Sequence, residues 1–135
     1  MSFSSAQQQL IDQFNALNNW ENRYRFILRL GKSLPDMDDT LKVDNVLLSG
    51  CESNVWFYGE FVNERLILNI YSDAKIVRGL ISIISKSFQG LTSAQCQSFD
   101  CISFLEELGL LVHLSPSRGN GIRAIIAEIE KLTTK

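Results

Sequence analysis

Between residues 55 and 71 the sequence reads VWFYGEFVNERLILNIY, and its hydrophobic pattern changes with every second residue. Val55, Phe57 and Phe61 alternate with Trp56, Tyr58 and Glu60; beyond Asn63-Glu64, Leu66, Leu68 and Ile70 alternate with Ile67, Asn69 and Tyr71. A period of two belongs to a strand, and two such runs on either side of a short polar break form an antiparallel hairpin. A two-residue turn sets Phe61 opposite Leu66 and Phe57 opposite Ile70, which makes one sheet face uniformly apolar. The same register puts Glu60 diagonal to Arg65 on the other face. Asn-Glu departs from the favoured Asn-Gly turn pair.

Helical periodicity surrounds this hairpin. Leu10, Ile11, Phe14 and Leu17 recur at helical spacing near the N-terminus. Asn18 followed by Glu21 predicts a capped start for a second helix, with Trp20, Tyr24, Ile27 and Leu28 on one face and Gly31 then Pro35 closing it. The acidic, aperiodic PDMDDTLKVDN that follows reads as a surface loop. After the hairpin, Ser72 or Asp73 is the expected cap of a helix whose buried stripe is Ile76, Val77, Leu80, Ile81 and Ile84, ended by Gly90. TSAQCQSFDCISFLEELGL predicts one or two short helices finishing at Gly109. A last helix carries Ile122, Ile125, Ile126, Ile129 and Leu132 on one face. Helices, a compact hairpin and more helices make an α+β fold, an antiparallel sheet built on a central hairpin with helices packed against it. The 135 residues, 45% of them hydrophobic, suit a single domain spanning 1–135.

Charge narrows the function classes. Thirteen basic and 15 acidic side chains leave a net charge of -2, with no cationic excess to neutralise phosphates, so nucleic acid is not an expected partner. The first residues, MSFSSAQQQL, lack the layout of a secretory signal, and the apolar runs are too short to span a bilayer. The expected location is the cytoplasm, with no membrane partner. Three cysteines do not suggest a disulfide framework, and with the one histidine, His113, they lack metal-ligand spacing. No metal and no cofactor is expected.

Cys51 is the thiol with a distinctive setting. Gly50 before it permits tight loop conformations closed to other residues. The position falls where a loop meets the first hairpin strand, beside Val55 and Trp56. Glu52 acts in the opposite sense, because an adjacent carboxylate disfavours the thiolate that does the chemistry. From the residues alone, Cys51 is either a presented nucleophile or an inert loop thiol. Cys96 and Cys101, five apart in a helical segment, read as packing residues. LSPSRGNGI, with Ser115, Ser117, Arg118 and Asn120 ahead of a helix, is either a cap or an electropositive corner that steadies an anion.

Four blocks in order add up to a family. NWENRY with LGKSLP, SGCESNVW, SDAKIVRGL and LSPSRGNG resemble, at compatible spacing along nearly the whole chain, the SufE-like sulfur-acceptor family of SufE and CsdE proteins. The resemblance implies a fold similar to iron–sulfur scaffold proteins. It also implies an accessory protein and desulfurase activator, with no small-molecule turnover of its own. Its implied partner is a cysteine desulfurase of the SufS/CsdA type, which holds the pyridoxal phosphate. Cys51, by its place in the second block, would take persulfide sulfur from that partner and pass it to a downstream sulfur acceptor or iron–sulfur scaffold. Gly50, Glu52, Asp73 and Arg118 are the supporting or partner-contact candidates. The alternative is a cysteine-dependent hydrolase or thiol-redox enzyme, for which His113 is the one histidine available as a base.

Overall fold

The computed structural model describes residues 4–35, 37, 40 and 54–133. In chain order the elements are α1 (Ser5–Asn15), α2 (Trp20–Ser33), β1 (Val55–Val62), β2 (Arg65–Ser72), α3 (Lys75–Phe88), α4 (Ser93–Ser98), α5 (Cys101–Glu107), a 3-10 turn (Leu111–His113) and α6 (Pro116–Thr133). This is the α+β arrangement that the hairpin pattern predicts.

The hairpin forms in the expected register, with Phe61 opposite Leu66 and Phe57 opposite Ile70. Its turn is tight: Asn63 and Glu64 both adopt the left-handed conformation, at φ 50° and 67°. That is the backbone of the turns whose twist matches a two-residue hairpin. The same register sets Glu60 diagonal to Arg65, as expected. Arg65 donates to the carbonyl of Gly90 at 3.1 Å, beyond α3. The apolar face is covered by α3 and α6. A methyl group on Gly59 would lie 2.7 Å from Leu132 Cδ1, so the end of α6 runs directly over β1.

The tightest packing lies between α2 and α3. Gly31 does not close α2, as its sequence position suggests, but is buried in its last turns. A Cβ there would sit 2.8 Å from the Gly79 nitrogen, and one on Gly79 only 2.2 Å from the Ile27 carbonyl oxygen. The two glycines let the helix backbones touch, a role invisible to a rule that treats glycine as a helix stop.

Helix starts differ from expectation by a residue or two. Asn19, not Asn18, caps α2, accepting from the Asn22 amide at 2.9 Å. Neither Ser72 nor Asp73 caps α3; the cap position is Ala74, with no side-chain bond. Helix α6 begins at Pro116, so Ser117, Arg118 and Asn120 lie inside its first turns rather than before it. Leu17 falls just beyond α1. The buried stripes hold: Ile76, Leu80, Ile81 and Ile84 of α3, and Ile122, Ile125, Ile126 and Ile129 of α6, join one contiguous core with Val77 and Leu132 at its margin. Long-range hydrogen bonds tie the helices together. Gln7, buried on α1, donates to the Ser87 carbonyl at 2.9 Å, and Ser93 and Gln97 of α4 donate to the Thr133 carbonyl at the end of α6. Among the described residues no helix is long and apolar enough to cross a membrane.

Two substitutions separate these contacts. Gly79→Ala forces carbon against a backbone carbonyl and is expected to destabilise the protein by about 3 kcal/mol or more. Glu64→Gly removes a left-handed side-chain residue and is expected to stabilise it by about 0.5–1 kcal/mol. Urea unfolding followed by circular dichroism measures both.

Candidate functional site

Cys51, with Gly50 and Glu52, lies outside the described residues. The framework immediately downstream of it is described, and it is dense in polar contacts. Asn54 is held twice: its carbonyl accepts from Ser72 Oγ at 2.7 Å, and its Nδ2 donates to Asp73 Oδ2 at 3.1 Å. Ser72 is fully buried, and its oxygen also accepts from the Ala74 amide at 3.2 Å. One hydroxyl thus joins the start of β1, the end of β2 and the approach to α3.

Arg78, one turn into α3, completes the arrangement. Its Nε donates to the Ser72 carbonyl at 2.7 Å, and its guanidinium carbon lies 4.8 Å from the centre of the Tyr71 ring, within cation–π range. A second guanidinium nitrogen reaches the Asp73 carbonyl at 3.5 Å. Asp73 is exposed, with its carboxylate engaged on one side by Asn54. Sequence reasoning singled out Asp73 but missed Asn54, Ser72 and Arg78 as a unit. The signal available was strand pairing: Val55 stands opposite Ser72, which makes Asn54 and Asp73 neighbours.

The other two thiols are core groups. Cys96 is 5% exposed and Cys101 3%. Burial pushes the Cys96 thiol up to about 11. Burial likewise pushes Cys101 up to about 12, helped by the charges of Asp100 and Glu130 and partly opposed by a hydrogen bond with Ser87. A buried thiol held in its neutral form is neither a nucleophile nor a metal ligand. Their expected packing role fits these positions.

Arg118 is half-buried in the first turn of α6, and its amide donates to Ser115 Oγ at 3.3 Å. Of the two readings of LSPSRGNG, this contact is the helix cap, made by Ser115. Among the described residues no hydrogen bond or ion pair joins Arg118 to Asp73. His113 is exposed, and its ring stacks on Trp20 at 4.1 Å with 16° between the planes. That contact explains a histidine within an apolar run: its flat face covers an indole at the start of α2.

The buried thiols make a pH prediction. Their folded values, about 11 and 12, lie above the ordinary value of 9.0. Between those limits the unfolded chain releases protons that the native chain keeps, so the thiols' contribution is intact below pH 9.0 and is lost as pH rises beyond it. Wild type is expected to lose stability more steeply than a Cys96→Ala, Cys101→Ala double variant on going from pH 9.0 to pH 11, read as unfolding midpoints in urea.

The comparisons with known proteins agree in one direction. The model of the SufE family, an Fe-S metabolism associated domain, matches residues 8–133. An uncharacterized SufE-like protein of Rhizobium meliloti is 36% identical over 126 residues, covering 90% of each chain. The sulfur acceptor protein CsdE of Escherichia coli is 36% identical over 118 residues, 86% of this chain and 80% of that one. In three dimensions, the solution structure of a hypothetical protein from Thermus thermophilus superposes with a TM-score of 0.80 at 14% identity, over 98% of this chain and 96% of the other, a likeness of fold. With a family model matched from residue 8 to 133 and relatives identical at more than a third of aligned positions, the chain belongs to the SufE family.

Proposed function

We propose that this protein is a sulfur acceptor: Cys51 takes persulfide sulfur from a cysteine desulfurase of the SufS/CsdA type, stimulates that enzyme by clearing its sulfur, and passes the atom on toward iron–sulfur cluster assembly. Membership of the SufE family, whose relatives include a sulfur acceptor protein, supports the reading. The structural observation that supports it is the burial of Cys96 and Cys101, which speaks against either as the transferring thiol and so favours Cys51.

The chemistry is a sulfur exchange of the thiol–disulfide kind. The Cys51 thiolate attacks the outer sulfur of the donor's cysteine persulfide. A sulfur–sulfur bond forms at Cys51, the donor's sulfur–sulfur bond breaks, and the donor cysteine leaves as a thiolate. No external oxidant or reductant is consumed, and the pyridoxal phosphate that generates the persulfide belongs to the desulfurase. In this reading the partner supplies the environment that activates the thiol.

The described polar framework begins three residues after the cysteine. There Asn54 is anchored to Ser72 and Asp73. Asp73, on the surface, and Arg118, at the start of α6, serve as contacts to the partner in this reading.

Incubation with a cysteine desulfurase and cysteine, followed by intact mass measurement, tests it. The expected gain is one sulfur atom per chain, abolished in Cys51→Ser and kept in Cys96→Ala and Cys101→Ala. Sulfur acquired equally by Cys51→Ser would overturn the assignment.

A further inference from the structure

Strand β2 turns the backbone groups of its even-numbered residues away from β1, and several of them find partners. The Leu66 amide donates to the Leu91 carbonyl at 2.8 Å, and the Leu66 carbonyl accepts from the Gly90 amide at 2.9 Å. The Leu68 amide donates to Gln89 Oε1 at 2.9 Å. Ile70 has the same orientation, yet among the described residues no hydrogen bond pairs with its N–H or its C=O on that side. Ile70 is 2% exposed. Buried backbone groups without partners are rare in native proteins.

These groups face a cleft of about 200 Å³ between the end of α2, the edge of β2 and the outer side of α3. Ser82 also lines it and is 2% exposed. The other buried serines are bonded, Ser72 to the Asn54 carbonyl and Ser87 to the Ile84 carbonyl. The Ser82 hydroxyl has no hydrogen bond among the described residues. At the rim, Lys86 is exposed and makes no ion pair among them. Leu34, Pro35 and Leu68 supply an apolar wall.

Among the described residues, the cleft therefore offers a cation, a hydroxyl, an amide and a carbonyl without partners beside a small apolar surface. Its volume is below the range of about 300–1,000 Å³ that drug-sized ligands occupy. We propose that it binds a free amino acid with a small apolar side chain. The carboxylate pairs with Lys86 and accepts from Ser82 and the Ile70 amide; the ammonium donates to the Ile70 carbonyl; the side chain lies against Leu34, Pro35 and Leu68. The site uses neither Cys51 nor the framework around Asn54, and it stands or falls independently of the sulfur-acceptor reading.

Amide spectra of the full chain labelled with nitrogen-15 provide the test, with alanine, valine, leucine and methionine as probes and their carboxamides and N-acetyl derivatives as controls. At least one free amino acid is expected to shift the Ile70 and Ser82 signals saturably, with a dissociation constant in the range of about 1 mM. Its carboxamide, its N-acetyl derivative and the exposed-site variant Lys86→Glu should each weaken binding about tenfold or more, while Lys86→Arg should retain it. No saturable shift up to about 20 mM would overturn the proposal and leave the cleft to ordered water. Equal binding by the capped derivatives, or by Lys86→Glu, would overturn it as well.

Discussion

The contact between α2 and α3 fixes the rest of the molecule. Gly79 passes so close to the Ile27 carbonyl that no side chain fits between them, and Gly31 stands almost as close to Gly79. Helices normally meet at about 8–10 Å between axes, with side chains setting the spacing. Here two glycines remove that spacer. The benefit is positional: α3 is pinned along its first turns, where Arg78 reaches back to Ser72 and Asp73. The hairpin end and the helix start are thereby held as one unit, and the chain entering β1 at Asn54 is bonded to it.

The thiols tie this core to function. The same core that gives the α+β fold its stability swallows Cys96 and Cys101 and raises both far above neutrality. A sulfur acceptor benefits from such silence, because stray persulfides on neighbouring thiols would divert the cargo. At Cys96 and Cys101 packing and specificity are in this sense the same property, since burial alone keeps both thiols silent.

The alternation from Val55 to Tyr71 made the hairpin legible down to its register, since a slip of one residue would turn Leu66, Leu68 and Ile70 outward. Isoleucine stripes in α3 and α6 were equally readable, because burial of one helix face leaves a 3.6-residue signature. Helix ends were less so. Asn18 and Asn19 are both competent caps, and only tertiary geometry selects one. Gly31 was misread because the same residue type serves helix stops and helix crossings, and which applies depends on a partner 48 positions away in sequence, Gly79. The Ser72–Asn54–Asp73–Arg78 unit was missed for a related reason: its members are ordinary polar residues until strand pairing brings them together. The family resemblance, carried by four short blocks, reached further than periodicity could, and the comparisons place the chain in the same family.

The central claim is that one side chain, Cys51, couples this fold to a donor enzyme. The rate at which a cysteine desulfurase releases alanine from cysteine, measured with saturating amounts of this protein, addresses it most directly. The account predicts a marked acceleration by the wild-type chain and none by a folded Cys51→Ser chain. Equal acceleration by both would contradict it.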